Sequence, residues 1–356
     1  MSGSLLNLDL KQIRLPSWLQ LGASATGRSG GLRAKYPPVA ADMGVNALSF
    51  VRLTKDKARS WLLTSFDQVD LPEDLLESDV FRVQITSQDR YRALIAGAMQ
   101  KEGIKTDRIS LVLPDHMARV ALLPFEELPR TRREVTEMVR WKMKKAVPFK
   151  VEEAVVDYET YPGEGGRGFT LLAVLMPSAI VEAHESVFVK QGIRPGLVDL
   201  STFSLVHMYR GIMEKEVPAG GDFLLLNATG SFFTLMIFRD GVPIFYRCKS
   251  FTYGGDQDGD AALRLILRES QASLIYYQER LGGTSLARVY LRLVGHDAQR
   301  VSGLFEAAPL ASAPELIDPR RVVKVTGRLD AMGDERATEI LQRLAPAVGA
   351  ALGREG

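Results

Sequence analysis

The sequence predicts an α/β protein with two related lobes. Strand-like runs alternate with amphipathic helical stretches in both halves of the chain, which is typical of α/β architecture. Each half also contains an apolar strand that ends in a short polar residue, turns through glycine and returns as a second apolar strand. The first such unit is Val39 to Leu53 and the second is Phe223 to Phe238. Because the two units share one order of features, we expect lobes of similar topology.

The composition fits a folded protein and excludes several kinds of site. With 356 residues, 46% of them apolar and 25% charged, the chain is long enough for two buried cores. A formal net charge of +2 argues against a general polyanion binder. The single cysteine, Cys248, lies in a strand-like run and is interpreted as a buried thiol. The four histidines lack metal-binding spacing, so no metal site built on histidine or cysteine is predicted.

The first 38 residues differ from the rest of the chain. Leucines are scattered without a clear period up to residue 21, and a Gly/Ser/Ala-rich stretch follows as far as Pro37-Pro38. We interpret 1–38 as a flexible tail, with a segment that docks on a membrane surface or partner groove as the alternative. The sequence has no run of 18 apolar residues and no signal-peptide pattern, so a cytoplasmic location is expected.

A basic helix is predicted over 132–146. Thr131 and Glu134 have the spacing of a capping box, and Pro148 marks the end of the helix. This region is either a solvated helix face or a patch for an acidic partner or lipid headgroups. Nucleic acid is not expected, because no nucleic-acid-binding motif accompanies the patch. The residues assigned to the patch are Arg140, Lys142, Lys144 and Lys145.

The two strand–turn–strand units are the candidates for phosphate chemistry. The sequence contains no P-loop, no G-x-G-x-x-G after a strand and no nucleophile elbow. Backbone N–H groups of a glycine turn can bind phosphate, and a carboxylate at a strand end, such as Asp42, can organise hydrated Mg²⁺. Taken separately, each unit is most simply a β-hairpin turn.

Several short segments, in order along the chain, resemble the type IV pilus assembly protein PilM family of actin-like ATPases. Asp42-Met43-Gly44 is similar to the first phosphate loop of that superfamily. The most distinctive match is Ala146-Val147-Pro148-Phe149 followed by Asp157-Tyr158. The resemblance extends over 39–353 and depends on the order of the motifs. The other matching segments are Leu122-Leu123-Pro124, Gly192-Ile193-Arg194-Pro195, Arg239-Asp240-Gly241, Gly254-Gly255-Asp256, Tyr290 to Gly295, Val301 to Leu304 and Leu344-Ala345-Pro346.

The resemblance implies an actin-like (ribonuclease H-like) fold in which two lobes flank a nucleotide cleft. It divides the chain into a tail (1–38), a first lobe (39–114 and 195–215), a small inserted α+β subdomain (115–194) and a second lobe (216–356). ATP with Mg²⁺ is the implied cofactor, and Asp42 would hold the metal through water. The residues implied to contact nucleotide are Asp42, Gly44, Asn46, Asn227, Gly230, Ser231, Gly295 and Gly303.

The chain departs from the family pattern where catalysis would occur. The second phosphate loop of the family begins with an aspartate and a glycine, and here those positions hold Asn227 and Thr229. The paired glycines of the adenosine segment are reduced to Val294-Gly295, followed by His296. Loss of the second carboxylate removes the group expected to position Mg²⁺ and the attacking water. We therefore predict degenerate, weak or absent ATP binding, no catalytic residue and at most a weak ATPase activity.

The implied function is that of a cytoplasmic scaffold of the type IV pilus machine, which serves twitching motility, peripheral at the inner membrane. The implied partner is the N-terminal cytoplasmic segment of PilN, bound in a groove between the first lobe and the inserted subdomain. Other inner-membrane pilus proteins and self-association are also implied. Because Leu6-Asn7-Leu8 is similar to the Asn-Leu peptide of PilN, occupation of that groove by the tail is a second hypothesis.

Three other functions stay open. A sugar kinase or chaperone-type ATPase of the same fold would need a general-base carboxylate, and Asp157 and Asp199 both have structural interpretations. An FtsA-like cell-division scaffold would carry a C-terminal amphipathic membrane helix, which 345–356 does not resemble. A type II secretion scaffold related to GspL would carry a transmembrane helix, for which the sequence shows no segment.

Overall fold

The structure, a computed structural model, describes residues 37–79, 81–251, 259–306 and 313–352. Most of the tail and the segment Gly254-Gly255-Asp256 lie outside the described residues. The strands are β1 Val39–Met43, β2 Ala47–Lys55, β3 Trp61–Asp70, β4 Leu76–Asp79, β5 Arg82–Ile85, β6 Arg108–Leu113, β7 Arg119–Phe125, β8 Ala154–Pro162, β9 Phe169–Pro177, β10 Arg194–Leu200, β11 Asp222–Ala228, β12 Phe232–Arg239, β13 Val242–Ser250, β14 Leu286–Leu293, β15 Glu315–Leu316 and β16 Lys324–Val325. The helices are α1 Gln88–Lys101, α2 Arg132–Met143, α3 Ser178–Val189, α4 Ser201–Glu216, α5 Gly259–Arg280, α6 Ala298–Glu306 and α7 Asp334–Leu352.

Two sheets of matching topology form the body of the molecule. The first has the order β10-β6-β1-β2-β3-β16, and the second has the order β13-β12-β11-β14-β15. In each, three antiparallel strands (β1–β3 or β11–β13) are followed by strands that run parallel to the first of them. Two copies of this ribonuclease H-like order make an actin-like fold, so the predicted α/β fold class is confirmed.

The central strands form because their side chains are apolar on both faces. Every residue of β1 and of β11 is buried. Strands that are covered on both sides need such continuous apolar runs rather than an alternating pattern. The polar residue at the end of each run is therefore carried into the interior with its strand, and this is how Asp42 and Asn227 come to be buried.

A third, small sheet follows β6 and carries the basic helix. Its order is β7-β9-β8, and it has a core of its own that includes Val139, Met143 and Leu171. The capping box at Thr131 and Glu134 is confirmed, with the threonine side chain and the glutamate side chain both bonded. The helix ends at Met143 rather than at residue 146, because the Lys144 N–H bonds three residues back, to the Trp141 carbonyl oxygen.

The chain returns to the first sheet after the second sheet is complete. Strand β16 pairs with β3, and α7 packs on β1, β2 and α4. The sequence-based division placed 216–356 in the second lobe, whereas this packing ties 324–352 to the first. Helices α4 and α7 approach closely at Gly349, where a Cβ would lie 2.1 Å from the Ser204 carbonyl oxygen. None of the described helices is long and apolar enough to cross a membrane.

Candidate functional site at the facing strand ends

The carboxyl ends of β1 and β11 meet across the cleft between the two large sheets. Asp42 and Asn227 occupy equivalent positions in the two sheets. Asp42 lies opposite Ser49 of β2 and Val112 of β6. Asn227 lies opposite Thr234 of β12 and Arg292 of β14. The second lobe therefore carries a cation at the position where the first lobe carries valine.

Arg292 joins the two lobes at this point. Its Nη1 donates to Asn227 Oδ1 at 2.9 Å, and its Nη2 lies 3.8 Å from Asp42 Oδ2. The residue is only 4% exposed, so these contacts are made largely away from water. A guanidinium with this set of acceptors is a buried, paired cation rather than a surface charge.

Helix α7 supplies Arg292 with a further acceptor because of Pro346. In a helix the carbonyl of residue 342 would accept from the N–H of residue 346, but proline has no N–H. The Gln342 carbonyl oxygen instead accepts from Arg292 Nε at 2.8 Å. The Gln342 side chain holds the same strand, since its Oε1 accepts from the Leu293 N–H at 3.0 Å. Pro346 thus leaves free the carbonyl oxygen to which Arg292 donates.

The amide of Asn227 connects the cation to the start of α4. Its Nδ2 donates to Ser201 Oγ at 3.0 Å and to Thr202 Oγ1 at 2.9 Å. Asp115, from the turn after β6, accepts from the Thr202 N–H at 3.0 Å and from the Thr202 hydroxyl. A carboxylate at a helix N-terminus is favourable, and α4 has no capping side chain of its own. Asp115 therefore caps α4 from a distance in sequence.

Burial governs the charges of this cluster. Desolvation raises the pKa of the Asp42 carboxyl to about 6, against the lowering effect of Arg292, and Asp115 raises it further. Burial also raises the pKa of Asp115, while its bonds to Thr202 oppose the rise. Burial lowers the pKa of Arg292, and the charges of Asp42 and Asp115 oppose this by raising it. Arg292 is thus the buried cation that interacts with two buried carboxyl groups, those of Asp42 and Asp115.

The second glycine turn is closed by its own side chain. Thr229 Oγ1 accepts from the Ser231 N–H at 3.2 Å and from the Phe232 N–H at 3.3 Å. Backbone N–H groups at such a turn are the groups that would bind a phosphate. Here a threonine hydroxyl, at the position where the family has glycine, already satisfies two of them.

The other predicted site residues are distributed unevenly. Gly44 lies in the β1–β2 turn, where a Cβ would lie 2.6 Å from the Ala47 carbonyl oxygen, and Asn46 is exposed in the same turn. Gly230 is half-exposed between β11 and β12. Gly295 follows β14 with φ of +76°. Gly303 is exposed on α6, where an added Cβ would meet nothing within 4 Å.

His296 ties the adenosine-like segment to the second turn. Its Nε2 lies 2.7 Å from the Thr229 carbonyl oxygen, and the Val294 N–H donates to the Ala228 carbonyl oxygen at 2.9 Å. Burial lowers the pKa of His296 below its ordinary value, so the ring is neutral near pH 7. The structure therefore brings the segment around Gly295 against the Thr229–Ser231 turn.

The fold has a counterpart among solved structures. A chain of the PilM–PilN type IV pilus biogenesis complex matches with a TM-score of 0.73 at 17% identity, covering 90% of this chain and 98% of that one. The chain has a PilM-like, actin-like fold. A Bacteroides thetaiotaomicron protein with an actin-like ATPase fold and unknown function has a TM-score of 0.46 at 7% identity, covering 82% and 93%. The cytoplasmic domain of EpsL from the Vibrio cholerae type II secretion system has a TM-score of 0.42 at 8% identity, covering 86% of this chain and 94% of that one. No protein-family model and no curated protein sequence matches.

The two aspartates considered for an enzyme of this fold are used structurally. Asp157 accepts from Arg132 and from the Tyr158 N–H. Asp199 accepts from Ser204 Oγ at 2.7 Å and from the Leu200 N–H at 2.8 Å. Within the described ranges, no three His, Cys, Asp or Glu side chains are grouped so that they could hold a metal ion.

The predicted basic patch is divided by the structure. Arg140 is largely buried and donates to the Val151 and Ala154 carbonyl oxygens, which fixes the entry to β8. Lys142 turns back to donate to the Pro124 carbonyl oxygen at 2.6 Å. Lys144 and Lys145 are exposed. The assignment of all four to one partner surface stays a prediction: the three lysines are exposed, and Arg140 is largely buried.

Sequence reasoning missed Arg292, Asp115 and Pro346 as parts of the cleft. A charged residue inside the apolar run Tyr290-Leu291-Arg292-Leu293 is unusual in a buried parallel strand, and this signal could have found Arg292. Asp115 lies two residues after the end of β6, a buried strand next to the one that contains Asp42. Pro346 gave no local signal, because its effect depends on where α7 packs.

Proposed function

We propose that the chain is a scaffold of a type IV pilus assembly complex whose cleft works without nucleotide. The observation that carries this proposal is the Arg292 contact with Asp42 and Asn227, in a chain with a PilM-like fold. The scaffold would lie at the cytoplasmic face of the inner membrane and bind the N-terminal cytoplasmic segment of PilN. Other inner-membrane pilus proteins and a second copy of the chain are further proposed partners.

The donor set of the cleft does not fit Mg²⁺ with ATP. A divalent cation needs several oxygen ligands, and the carboxylate available at Asp42 already faces a guanidinium. The position of the family's second aspartate holds Asn227, whose oxygen is taken by the same guanidinium. The Thr229 hydroxyl oxygen accepts hydrogen bonds from the Ser231 and Phe232 N–H groups of the second turn, which would otherwise be available to a phosphate. In the proposed function the contacts in the cleft hold the two lobes together, and ATP hydrolysis plays no part.

We place the partner peptide beside Phe149, at the junction between the small sheet and the first lobe. An open cavity of about 460 Å³ is lined there by Lys144, by 147–151 and by Glu152. The Phe149 ring packs edge-on against Phe81 of the β4–β5 turn, with 5.2 Å between ring centroids. The cavity thus touches the junction that the resemblance assigns to the PilN groove, and its apolar wall and lysines suit a short peptide with apolar and polar residues.

A titration with the synthetic N-terminal cytoplasmic segment of PilN tests the proposal. We expect saturable binding in nucleotide-free buffer, weakened at least tenfold by Phe149→Ala because that ring lines the cavity proposed for the peptide. Phe169→Ala, which truncates an exposed ring elsewhere on the small sheet, is the matched control and should bind as the wild type does. Absence of peptide binding in the wild type, or a strict requirement for ATP, would contradict the proposal.

A further inference from the structure

Trp141 is the most exposed large apolar side chain of the described residues. It lies in the last turn of α2 and is 80% exposed, whereas Val139 and Met143 on either side of it are buried in the core of the small sheet. Exposure of a tryptophan side chain to water is unfavourable, because the indole ring has a large apolar surface. Its exposure is therefore an observation that packing within the chain does not explain.

The surroundings of Trp141 are strongly basic. Residues 141–150 contain four lysines and no acidic residue. Lys144 follows Trp141 at three positions and keeps helical backbone angles (φ −52°, ψ −34°), so it lies on the side of Trp141 at the helix end, and Lys145 comes next in the chain. Lys144 has one ion pair, with Glu152 at 3.7 Å, between two exposed side chains. Such a pair is weak in water and leaves both lysines available to an external anion.

The neighbouring basic residues face other directions. The Arg140 guanidinium bonds to the backbone of 151–154, and Lys142 Nζ lies 4.3 Å from the centre of the Phe125 ring. Lys142 and Lys150 are exposed as well, but Lys142 is bonded to the Pro124 carbonyl oxygen and Lys150 pairs with Glu153 at 2.8 Å. We call Trp141 with Lys144 and Lys145, one indole and two ammonium groups, the Trp141 surface below.

We propose that the Trp141 surface docks on anionic phospholipid headgroups. Tryptophan is enriched at the membrane–water interface, where its apolar ring and its N–H group are both accommodated. Lysines near an anionic leaflet are attracted to it without a need for fixed geometry. Protein–protein interfaces are also enriched in tryptophan, but they are depleted in lysine and enriched in arginine. The composition of the Trp141 surface thus favours a lipid surface over a protein partner.

This inference rests on one part of the proposed function, attachment at a membrane face, and deepens it. Lys144 also lines the cavity proposed for PilN, whereas Trp141 and Lys145 do not, so these two residues separate the lipid contact from the PilN contact. Interfacial binding by one aromatic residue and a few basic residues is weak and reversible. The Trp141 surface would therefore orient a scaffold that PilN holds, rather than anchor it alone. The vesicle experiment contains no PilN, so failure of the lipid contact and failure of the PilN contact are observed separately.

The experiment is co-sedimentation of the full chain with vesicles of phosphatidylcholine containing phosphatidylglycerol, against vesicles of phosphatidylcholine alone. We expect binding to the anionic vesicles only, with a blue shift of tryptophan emission that Trp141→Phe removes. Lys144→Gln with Lys145→Gln should lower the partition coefficient about 25-fold, at about fivefold for each lysine. Lys57→Gln with Lys105→Gln removes the same charge from exposed positions outside the small sheet and should leave binding within twofold.

Several outcomes would overturn the proposal. One is equal binding to both kinds of vesicle, and another is an equal loss in the Lys57 and Lys105 control, which would indicate non-specific attraction. A third is unchanged vesicle binding by Trp141→Ala together with loss of PilN-peptide binding, which would make the Trp141 surface a protein interface. Circular dichroism of each variant confirms that it is folded, which the exposure of the substituted side chains leads us to expect.

Discussion

The β1–β2 turn and the β11–β12 turn occupy equivalent places in sheets of the same strand order, yet they differ in charge. At the end of β1 an aspartate lies beside Val112, and at the end of β11 an asparagine lies beside Arg292. The carboxylate of the first lobe therefore faces a cation that belongs to the second. The difference indicates that this chain stabilises the meeting point of its lobes with its own cation.

The largest expected effect comes from removing the internal cation. Arg292→Met leaves Asp42 and Asp115 buried without a counter-charge, and breaking a buried pair in this way costs about 3–5 kcal/mol. We expect the free energy of unfolding in urea to fall by that amount. Arg288→Met is the control, since this arginine of the same strand has a partly exposed ion pair with Glu216 and should change stability by about 1 kcal/mol or less. Equal losses in the two variants would contradict the role of Arg292.

The charge of Asp42 predicts a pH dependence of stability. Its pKa is raised by burial to about 6, so the folded state binds a proton more tightly than the unfolded state does. The contribution of Asp42 is most favourable below pH 4 and is lost as the pH rises through 6, by up to about 3 kcal/mol.

Asp42→Asn isolates this contribution. The stability of the wild type relative to that variant should fall between pH 4.5 and pH 7.5, as measured by urea unfolding at each pH. Asp56→Asn is the control: its bond with Lys324 lowers the pKa of Asp56, so its contribution changes only below about pH 4 and should stay constant over this range. A constant difference between wild type and Asp42→Asn across this range would show that Asp42 is not desolvated.

Two glycines predicted to contact nucleotide should respond to alanine in opposite ways. Gly44→Ala forces the turn apart, because the new Cβ would clash with the Ala47 carbonyl, and overpacking of this kind costs about 1–3 kcal/mol. Gly303→Ala places a methyl group in open space on α6 and should stabilise by about 0.5–1 kcal/mol through helix propensity. Thermal unfolding midpoints should therefore move in opposite directions, and a loss in both would mean that Gly303 has a contact the structure does not show.

The smallest expected effect concerns the second turn. Thr229→Ala removes the acceptor of the Ser231 and Phe232 N–H groups and should cost about 1 kcal/mol, the usual net contribution of a neutral hydrogen bond. Hydrogen exchange at the two amides should accelerate in the variant. Unchanged exchange would show that the hydroxyl does not close the turn.

The fold class and the ends of the central strands could be predicted from local patterns. Apolar runs ending in Asp42 and Asn227 placed both residues at the ends of buried strands, and the spacing of Thr131 and Glu134 gave the start of α2. These features depend on neighbours in sequence, so one chain is enough to infer them.

The chemistry of the cleft depends on contacts between distant segments. Arg292 meets Asp42 from the other half of the chain, and the Gln342 carbonyl is free for it only because of Pro346. The return of α7 to the first sheet is equally non-local. In the sequence alone, Pro346 in a helical segment and Arg292 in an apolar strand are two unusual residues with no visible connection. Only the packing of α7 beside β14 connects them.

Calorimetric titration of the wild type and of Asp42→Ala with ATP and Mg²⁺ tests most directly whether Arg292 has replaced the nucleotide-bound cation. We expect no binding heat at millimolar ATP for either protein, together with full binding of the PilN peptide by the wild type. Saturable ATP binding by the wild type that Asp42→Ala abolishes would contradict a cleft closed by its own guanidinium.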